Sequence, residues 1–176
     1  MLGKVNFVVM LCLVFLGATT AYAQDQDHPA CYTLASLQGS YAIVGHYGDH
    51  LAIALAEGQL DGKGNFKSTF IVNEPDTTST TGARKVVSGS QTGTYTINCD
   101  GTGVITRFVT LANGQTGTVV SDFMITKAVQ SRRDNDGVLI ATALEDAQRT
   151  PSFIVPGGVF LTRTYTRLPS RDEDSD

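Results

Sequence analysis

The feature that most constrains how this chain can fold is a stretch of fifteen residues, 93–107, in which two strand-like runs flank a tight turn. The runs at residues 94–97 and 104–106 consist of β-branched and aromatic residues, which fit a pleated and half-buried surface. Between them, Asp100-Gly101 can adopt the left-handed backbone that a two-residue hairpin turn requires. The stretch therefore predicts a β-hairpin.

Strand-like runs separated by turn residues recur along the rest of the chain. Asp61-Gly62 and Asn113-Gly114 predict two more hairpin turns. Residues 51–60 contain good helix formers, but the strict alternation of Leu and Ile with Ala favours a strand. The pattern gives about eight strands and no long helix. It predicts an all-β, antiparallel, eight-stranded up-and-down barrel over residues 39–168, with a two-sheet β-sandwich as the alternative.

The two ends of the chain differ in composition from the predicted barrel. Lys4, an apolar run over residues 7–16 and a small-x-small pattern ending at Ala23 predict a signal peptide over residues 1–23, and hence a secreted or periplasmic protein. The apolar run is shorter than the roughly 20 residues of a spanning helix, so no membrane span is expected in the mature chain. Residues 24–38 are a polar lead-in with a short helical turn at 33–37, and residues 169–176 predict a disordered acidic tail.

The cysteine count predicts one disulfide bond. Of the three cysteines, Cys12 lies in the predicted signal peptide, which leaves Cys31 and Cys99 in the mature chain. An exported protein folds in an oxidising compartment, so we expect these two residues to pair, with two free thiols as the alternative. From position 31 to position 99 the bond would close a loop of 68 residues, for which the chain-entropy model gives about 4 kcal/mol of stabilisation.

Charge and motifs exclude several classes of function. The formal net charge is −4, and the chain has neither a basic patch nor a basic-aromatic stripe, so nucleic acid is not an expected partner. No serine lies in a nucleophile elbow, and no glycine-rich loop precedes a predicted helix. The sequence thus contains no hydrolase or nucleotide-binding motif, and no cofactor is expected. It specifies no oligomeric state.

Two features suggest a metal site but are better explained without one. The two Asp-Gly-x-Gly turns resemble parts of calcium loops, yet the twelfth loop position holds Ser68 in one and Arg107 in the other instead of a bidentate Glu. His46 and His50 flank a turn, but the sequence offers no third ligand. We therefore interpret the turns as hairpin turns and the histidines as rim residues, and no metal is expected.

Charged residues inside the predicted strands are the best candidates for a functional site. An ionised group that faces a barrel interior needs a partner or a ligand, because its desolvation is costly. The alternative is that each points to solvent from the polar face of its strand. Tyrosines are compatible with both interpretations, because their side chains can pack in a core or act as polar groups in a cavity. The candidate ligand-binding residues are Tyr41, Glu57, Tyr95, Arg107, Asp122 and Arg163.

The order of the motifs resembles a known protein family. The segments that carry the resemblance are Cys31, Leu-Gln-Gly-Ser-Tyr at residues 37–41, Asp-Gly-Lys-Gly-Asn at 61–65, Gly-Thr-Tyr-Thr-Ile-Asn-Cys at 93–99 and Gly-Thr-Gly at 101–103. They resemble small exported bacterial proteins of unassigned function, which look like eight-stranded barrels of the calycin or allene-oxide-cyclase-like kind. The resemblance covers most of the mature domain and weakens after Gly117. It implies the barrel fold, export and a bacterial source, and it carries over no active site.

Three hypotheses on function follow. Small eight-stranded barrels can enclose one ligand, so the first is binding of a small apolar or amphipathic molecule in the lumen. The second, by analogy of fold, is a barrel cyclase or isomerase that uses Glu57, Arg107 or Tyr95 as polar groups. The third is a structural or surface-interaction protein with a filled barrel. A lumen without a cavity on the order of a few hundred Å3 would favour the third hypothesis over the other two.

Overall fold

The eight strands of this chain close into one barrel. The computed structural model describes residues 31–49, 51–131 and 137–169. Each strand pairs antiparallel with the next along the chain, and the first strand also pairs with the last. The predicted up-and-down barrel is therefore confirmed. The two-sheet sandwich is excluded, because a sandwich would leave edge strands unpaired.

The strands follow the turns that the sequence predicts. A 3₁₀ helix, Leu34–Leu37, precedes them at the position of the predicted helical turn. Gly62 and Gly101 have φ values of 72° and 87°, the positive values that favour glycine in a tight turn. The connections are four residues long, 61–64 and 98–101, so the predicted two-residue length of the turn at Asp100-Gly101 is wrong. In chain order the strands are β1 Gly39–Tyr47, β2 Ala52–Leu60, β3 Asn65–Pro75, β4 Arg84–Ile97, β5 Thr102–Leu111, β6 Thr116–Gln130, β7 Leu139–Gln148 and β8 Leu161–Arg167.

Strand β2 shows how the sequence distributes side chains between the lumen and the outer wall. Alternation, rather than helix propensity, decides its structure, as predicted. Ala52 and Ala54 point into the lumen, whereas Ile53 is exposed on the outer wall. Small side chains suit the inner positions because Tyr47 of β1 and Phe70 of β3 fill the neighbouring space in the same cluster.

The lead-in segment closes one end of the barrel, which we call the lower end. Ser36 and Leu37 of the 3₁₀ helix are buried there. Cys31 forms the predicted disulfide bond with Cys99, in the turn between β4 and β5. The backbone N–H of Tyr32 also donates to the carbonyl oxygen of Cys99 at 3.1 Å. The bond therefore fixes the lead-in over the lower end.

The segment between β7 and β8, residues 149–160, closes the upper end. Val155 is buried in a cluster with Tyr47 and Leu161, and the partly buried Phe153 and Ile154 pack against the same cluster. Apolar side chains from a segment without strand structure thus take the place of solvent at this end of the lumen.

Several predicted features lie outside the described residues. They are the signal peptide, residues 24–30 of the lead-in, His50 of the histidine pair and residues 170–176 of the acidic tail. The strands themselves run from Gly39 to Arg167. No helix in the described part of the chain is long and apolar enough to cross a membrane.

The lumen contains two apolar clusters and a polar layer at the level where they meet. The lower cluster includes Leu37, Tyr41 and Phe123. The upper cluster contains the residues under segment 149–160. Along β5, β6 and β8, inward positions two residues apart belong first to one cluster, then to the polar layer, then to the other. The polar layer therefore lies near the middle of the barrel.

Candidate functional site

The polar layer is a network of five buried side chains on four consecutive strands. They are Arg107 on β5, Ser121 on β6, Asp146 on β7, and Arg163 and Tyr165 on β8. Arg107 is completely buried, which is rare for an arginine and requires that its charge be paired.

Asp146 is the centre of the network. Its Oδ1 accepts a hydrogen bond from Arg163 Nη1 at 2.8 Å. Its Oδ2 accepts one from Arg107 Nη2 and one from the Tyr165 hydroxyl, each at 2.5 Å. Arg107 Nη2 also donates to the Tyr165 oxygen, and Arg107 Nη1 donates to Ser121 Oγ at 3.0 Å. Both carboxylate oxygens are thus engaged within the network.

A glycine on the neighbouring strand makes room for Arg107. Gly93 of β4 lies directly opposite Arg107, and a Cβ atom built on Gly93 would lie 2.0 Å from the Thr106 carbonyl oxygen and 3.0 Å from the Arg107 Cα. Phe66 of β3, which pairs with Gly93, stacks its ring 5.4 Å from the guanidinium carbon of Arg107. The missing side chain at Gly93 therefore allows a cation–π contact across it.

At neutral pH Asp146 is ionised and Tyr165 is protonated. Burial alone would raise the pKa of the Asp146 carboxyl, but attraction to Arg107 and Arg163 and the Tyr165 hydrogen bond hold that pKa below its usual value. Burial raises the pKa of the Tyr165 phenol well above its usual value. Because arginine stays protonated in proteins, the network contains two positive charges and one negative charge.

Protonation of Asp146 should destabilise the barrel in acid. A carboxyl with a lowered pKa in the folded state stabilises the fold above the unfolded pKa, and this contribution is lost as the pH falls below about 4 towards the folded value. We expect the free energy of unfolding to decrease in that window. We also expect the ¹³C shift of the Asp146 carboxyl in folded protein to show no titration step above about pH 4. A midpoint above that pH would contradict the ion pairing described here.

Four of the six candidate site residues face the lumen, but they do not form one cluster. Arg107 and Arg163 meet at Asp146 in the network. Tyr41 and Tyr95 lie in the lower cluster, where their hydroxyls donate to the carbonyl oxygens of Ala141 at 2.9 Å and of Leu34 at 3.3 Å. Burial raises the pKa of Tyr41 to about 12. The two tyrosines therefore pack in the lower cluster, and Tyr95 also binds the lead-in that closes this end.

Glu57 and Asp122 do not face the interior, so the hypothesis of an interior role for them is wrong. Strand alternation explains both cases: Glu57 follows the partly buried Ala56, and Asp122 lies between the inward-facing Ser121 and Phe123. On the outer wall Asp122 pairs with the exposed Arg149, whose Nε donates to Asp122 Oδ2 at 2.9 Å. Both residues therefore point to solvent from the polar face of their strands, as the alternative interpretation of the sequence predicts.

The central residue, Asp146, was missed by the sequence analysis. Residues 145–148, Glu-Asp-Ala-Gln, contain no β-branched or aromatic residue and so carry no strand signal, whereas β7 continues to Gln148. Extending the alternation from Leu144 would have put Asp146 and Gln148 on the inner face. Ser121 was missed because a small hydroxyl residue in a strand gives no specific signal.

The cavity found in the lumen of the described residues is small. Its volume is about 30 Å3, and its wall includes Arg163 and members of the upper cluster. Two larger concavities, of about 640 and 650 Å3, lie on the outer wall, across β2–β5 and across β5–β8 respectively. Small-molecule pockets commonly measure roughly 300–1,000 Å3. Over the described residues the lumen is therefore filled by side chains.

The network has the groups of a proton-transfer site but no space for a substrate. A buried carboxylate, two guanidinium groups and a phenol converge, as they do in many active sites. However, both oxygens of Asp146 and both Nη atoms of Arg107 are engaged within the network, although Arg107 Nε makes no hydrogen bond to a described residue, and Arg107 and Asp146 have no exposed side-chain surface. What the arrangement can do chemically is hold four strands in one register through charge-assisted hydrogen bonds.

The acidic turns use their carboxylates to bind their own backbone. Asp61 Oδ1 accepts hydrogen bonds from the N–H groups of Lys63 and Asn65 at 2.8 and 2.9 Å, and bonds from Asn65 lower its pKa to about 2. Asp100 similarly accepts from Thr102 N–H at 2.9 Å. In residues 31–49, 51–131 and 137–169, no group of three or more His, Cys, Asp or Glu is placed to bind a metal ion.

Comparison with known proteins gives no match. No protein-family model, curated protein or solved structure matches this chain. The functional interpretation is therefore based on the geometry of the barrel itself.

Proposed function

We propose that this protein is an exported surface-interaction protein, a filled barrel that contacts its partner through the outer wall. The observation that carries the proposal is the luminal cavity of about 30 Å3, which leaves no room for an ordinary small-molecule ligand or substrate. The Cys31–Cys99 disulfide bond and the leader-like N-terminal sequence support export to an oxidising compartment.

The outer wall has an apolar row that crosses three neighbouring strands. Val44 of β1 lies opposite Leu55 of β2, and Leu55 lies opposite Ile71 of β3. Leu55 and Ile71 are 51% and 48% exposed, and Ile53 adjoins them on β2 with 42% exposed. Single exposed aliphatic residues are common, whereas a contiguous group indicates an interaction surface. We call these four residues the β1–β3 face.

The charge around the β1–β3 face favours a second copy of this chain as the partner. Thr162 and Thr164 of β8 flank it on one side and Ser88 on the other, and Glu57 is the nearest charged residue along β2. The protein as a whole has a net charge of −4. The four residues of the face are uncharged, and Arg84, which donates to Asn73 opposite Ile53, is a cation at its border. Two copies that meet at this face keep their acidic surfaces apart and bury aliphatic side chains on both sides of an isologous contact.

We therefore expect the exported protein to be a dimer in sedimentation velocity experiments. A variant with Leu55→Lys and Ile71→Lys should be monomeric, because each dimer would bury four unpaired ammonium groups at the contact. The matched control is Met124→Lys with Val129→Lys, which places the same charges at equally exposed apolar positions on β6. The control should remain dimeric. A wild-type protein that stays monomeric at its highest soluble concentration would refute the proposal.

A further inference from the structure

We propose that the small luminal cavity is a binding site for a monatomic anion, chloride in most biological settings. The site is independent of the surface-interaction proposal, because it lies inside the barrel and involves none of the residues of the β1–β3 face.

The wall of the cavity is rich in hydrogen-bond donors and contains no carboxylate. It lies among upper-cluster residues, under Ser152 and Ile154 of the segment that closes the upper end. Among the described residues that form the wall, Arg163 is the charged one. The polar members of the wall are Tyr47, Gln91, Gln148, Ser152 and Arg163.

One of these donors has no acceptor within the described chain. Gln148 is only 7% exposed, and its Nε2 makes no hydrogen bond to any described residue. Gln91, by contrast, donates through Nε2 to Ser68 Oγ at 2.7 Å. A buried amide donor without an acceptor is destabilising, and such groups in native proteins generally have a partner. The cavity is therefore expected to hold a species that accepts hydrogen bonds.

The charge of the neighbouring network favours an anion over water as that species. Asp146 forms ion pairs with both Arg107 and Arg163, so one positive charge of the network stays without a counter-charge. Another buried carboxylate, Glu74, acts electrostatically on the wall residue Tyr47, but it does not line the cavity, and its Oε1 pairs with Lys85 at 3.1 Å. A buried charge without a counter-charge is costly, and an anion beside Arg163 would offset that cost.

The size of the cavity limits the anion to a single atom. A volume of about 30 Å3 suffices for one or two particles of the size of water. Sulfate, phosphate or a carboxylate-bearing molecule would require the side chains of the upper cluster to move. Chloride is small enough, accepts several hydrogen bonds and needs no fixed coordination geometry.

The test compares chloride with a large anion at constant ionic strength. Wild-type protein is unfolded with urea in sodium chloride and in sodium gluconate, whose anion cannot enter the cavity. Binding to the folded state alone predicts that, above the dissociation constant, each ten-fold increase in chloride raises the folding equilibrium constant about ten-fold. Gluconate should have no such effect. Equal stability in both salts would overturn the proposal.

Two variants and one crystallographic measurement locate the effect. Gln148→Leu removes the unpartnered donor at similar volume and should abolish the dependence on chloride. The matched control is Arg149→Gln, which removes an outward-facing charge at the next residue and should keep the dependence. Crystals of the wild type grown in sodium bromide should show an anomalous peak within hydrogen-bond distance of Gln148 Nε2. A cavity that contains only water would contradict the site, and so would an unchanged chloride dependence in Gln148→Leu. If that variant does not fold, the bromide map alone decides.

Discussion

Replacing Asp146 with alanine is expected to destabilise the barrel strongly. The change leaves Arg107 and Arg163 buried without their shared counter-ion. Removing one partner of a buried ion pair typically costs about 3–5 kcal/mol, because the remaining charge is desolvated and unpaired. The free energy of unfolding, measured by urea denaturation, should fall by that amount.

The matched control is Asp122→Ala, which breaks an ion pair of similar geometry on the outer wall. Asp122 and Arg149 are 58% and 50% exposed, so water solvates the released charge and little stability should be lost. If Asp146→Ala prevents folding, the triple variant Arg107→Met, Asp146→Leu and Arg163→Met tests the same explanation. It removes all three charges together and should fold. Equal effects of Asp146→Ala and Asp122→Ala would contradict the role given to burial.

The strands could be predicted from the sequence because local chemistry decides them. Asp61-Gly62 and Asp100-Gly101 fix two hairpins through a backbone that glycine adopts easily, and alternation overrides the helix propensity of β2. Closure is less local, because it depends on the pairing of β1 with β8 across the whole domain. The sequence could therefore only favour the barrel over the sandwich. The calycin-like resemblance stays a prediction.

The candidate site could be predicted only in part, because it depends on which residues of each strand face the lumen and which face the outer wall. A charged residue within a strand is either inside or outside, and a shift of one residue exchanges the two. Arg107 and Arg163 lie inside and Glu57 and Asp122 outside, although all four interrupt similar β-like runs. The face on which a charged residue lies can be predicted where the residues two positions before and after it are clearly apolar. Ile105 and Val109 indicate the inner face for Arg107 in this way.

The end of β7 shows why the partner of the arginines was harder to predict than the arginines themselves. Its last residues, Glu-Asp-Ala-Gln, have low strand propensity, and only pairing with β6 and β8 keeps them extended. Asp146 is thus held in a strand by contacts that are distant in sequence. The network is a consequence of the closed barrel and is not encoded in any one segment.

Loss of the disulfide bond is expected to have the second large effect on stability. The Cys31→Ser, Cys99→Ser variant opens a loop of 68 residues, and the chain-entropy model gives a loss of about 4 kcal/mol. The measurement is urea denaturation of the variant and of the wild type, each with and without a thiol reductant. Reductant should lower the stability of the wild type to that of the variant and leave the variant unchanged.

The same variant separates two contributions of the bond. If the disulfide acts only on the unfolded chain, amide exchange in the folded variant should match the wild type throughout. We expect a difference confined to the lower end, because the lead-in contacts the barrel mainly through the 3₁₀ helix and the Tyr32 hydrogen bond. Faster exchange at residues 31–38 with unchanged exchange in β5–β8 would show that the bond fixes the lead-in, while the buried network holds the barrel independently. Exchange that increases equally in the strands of the network would contradict that division.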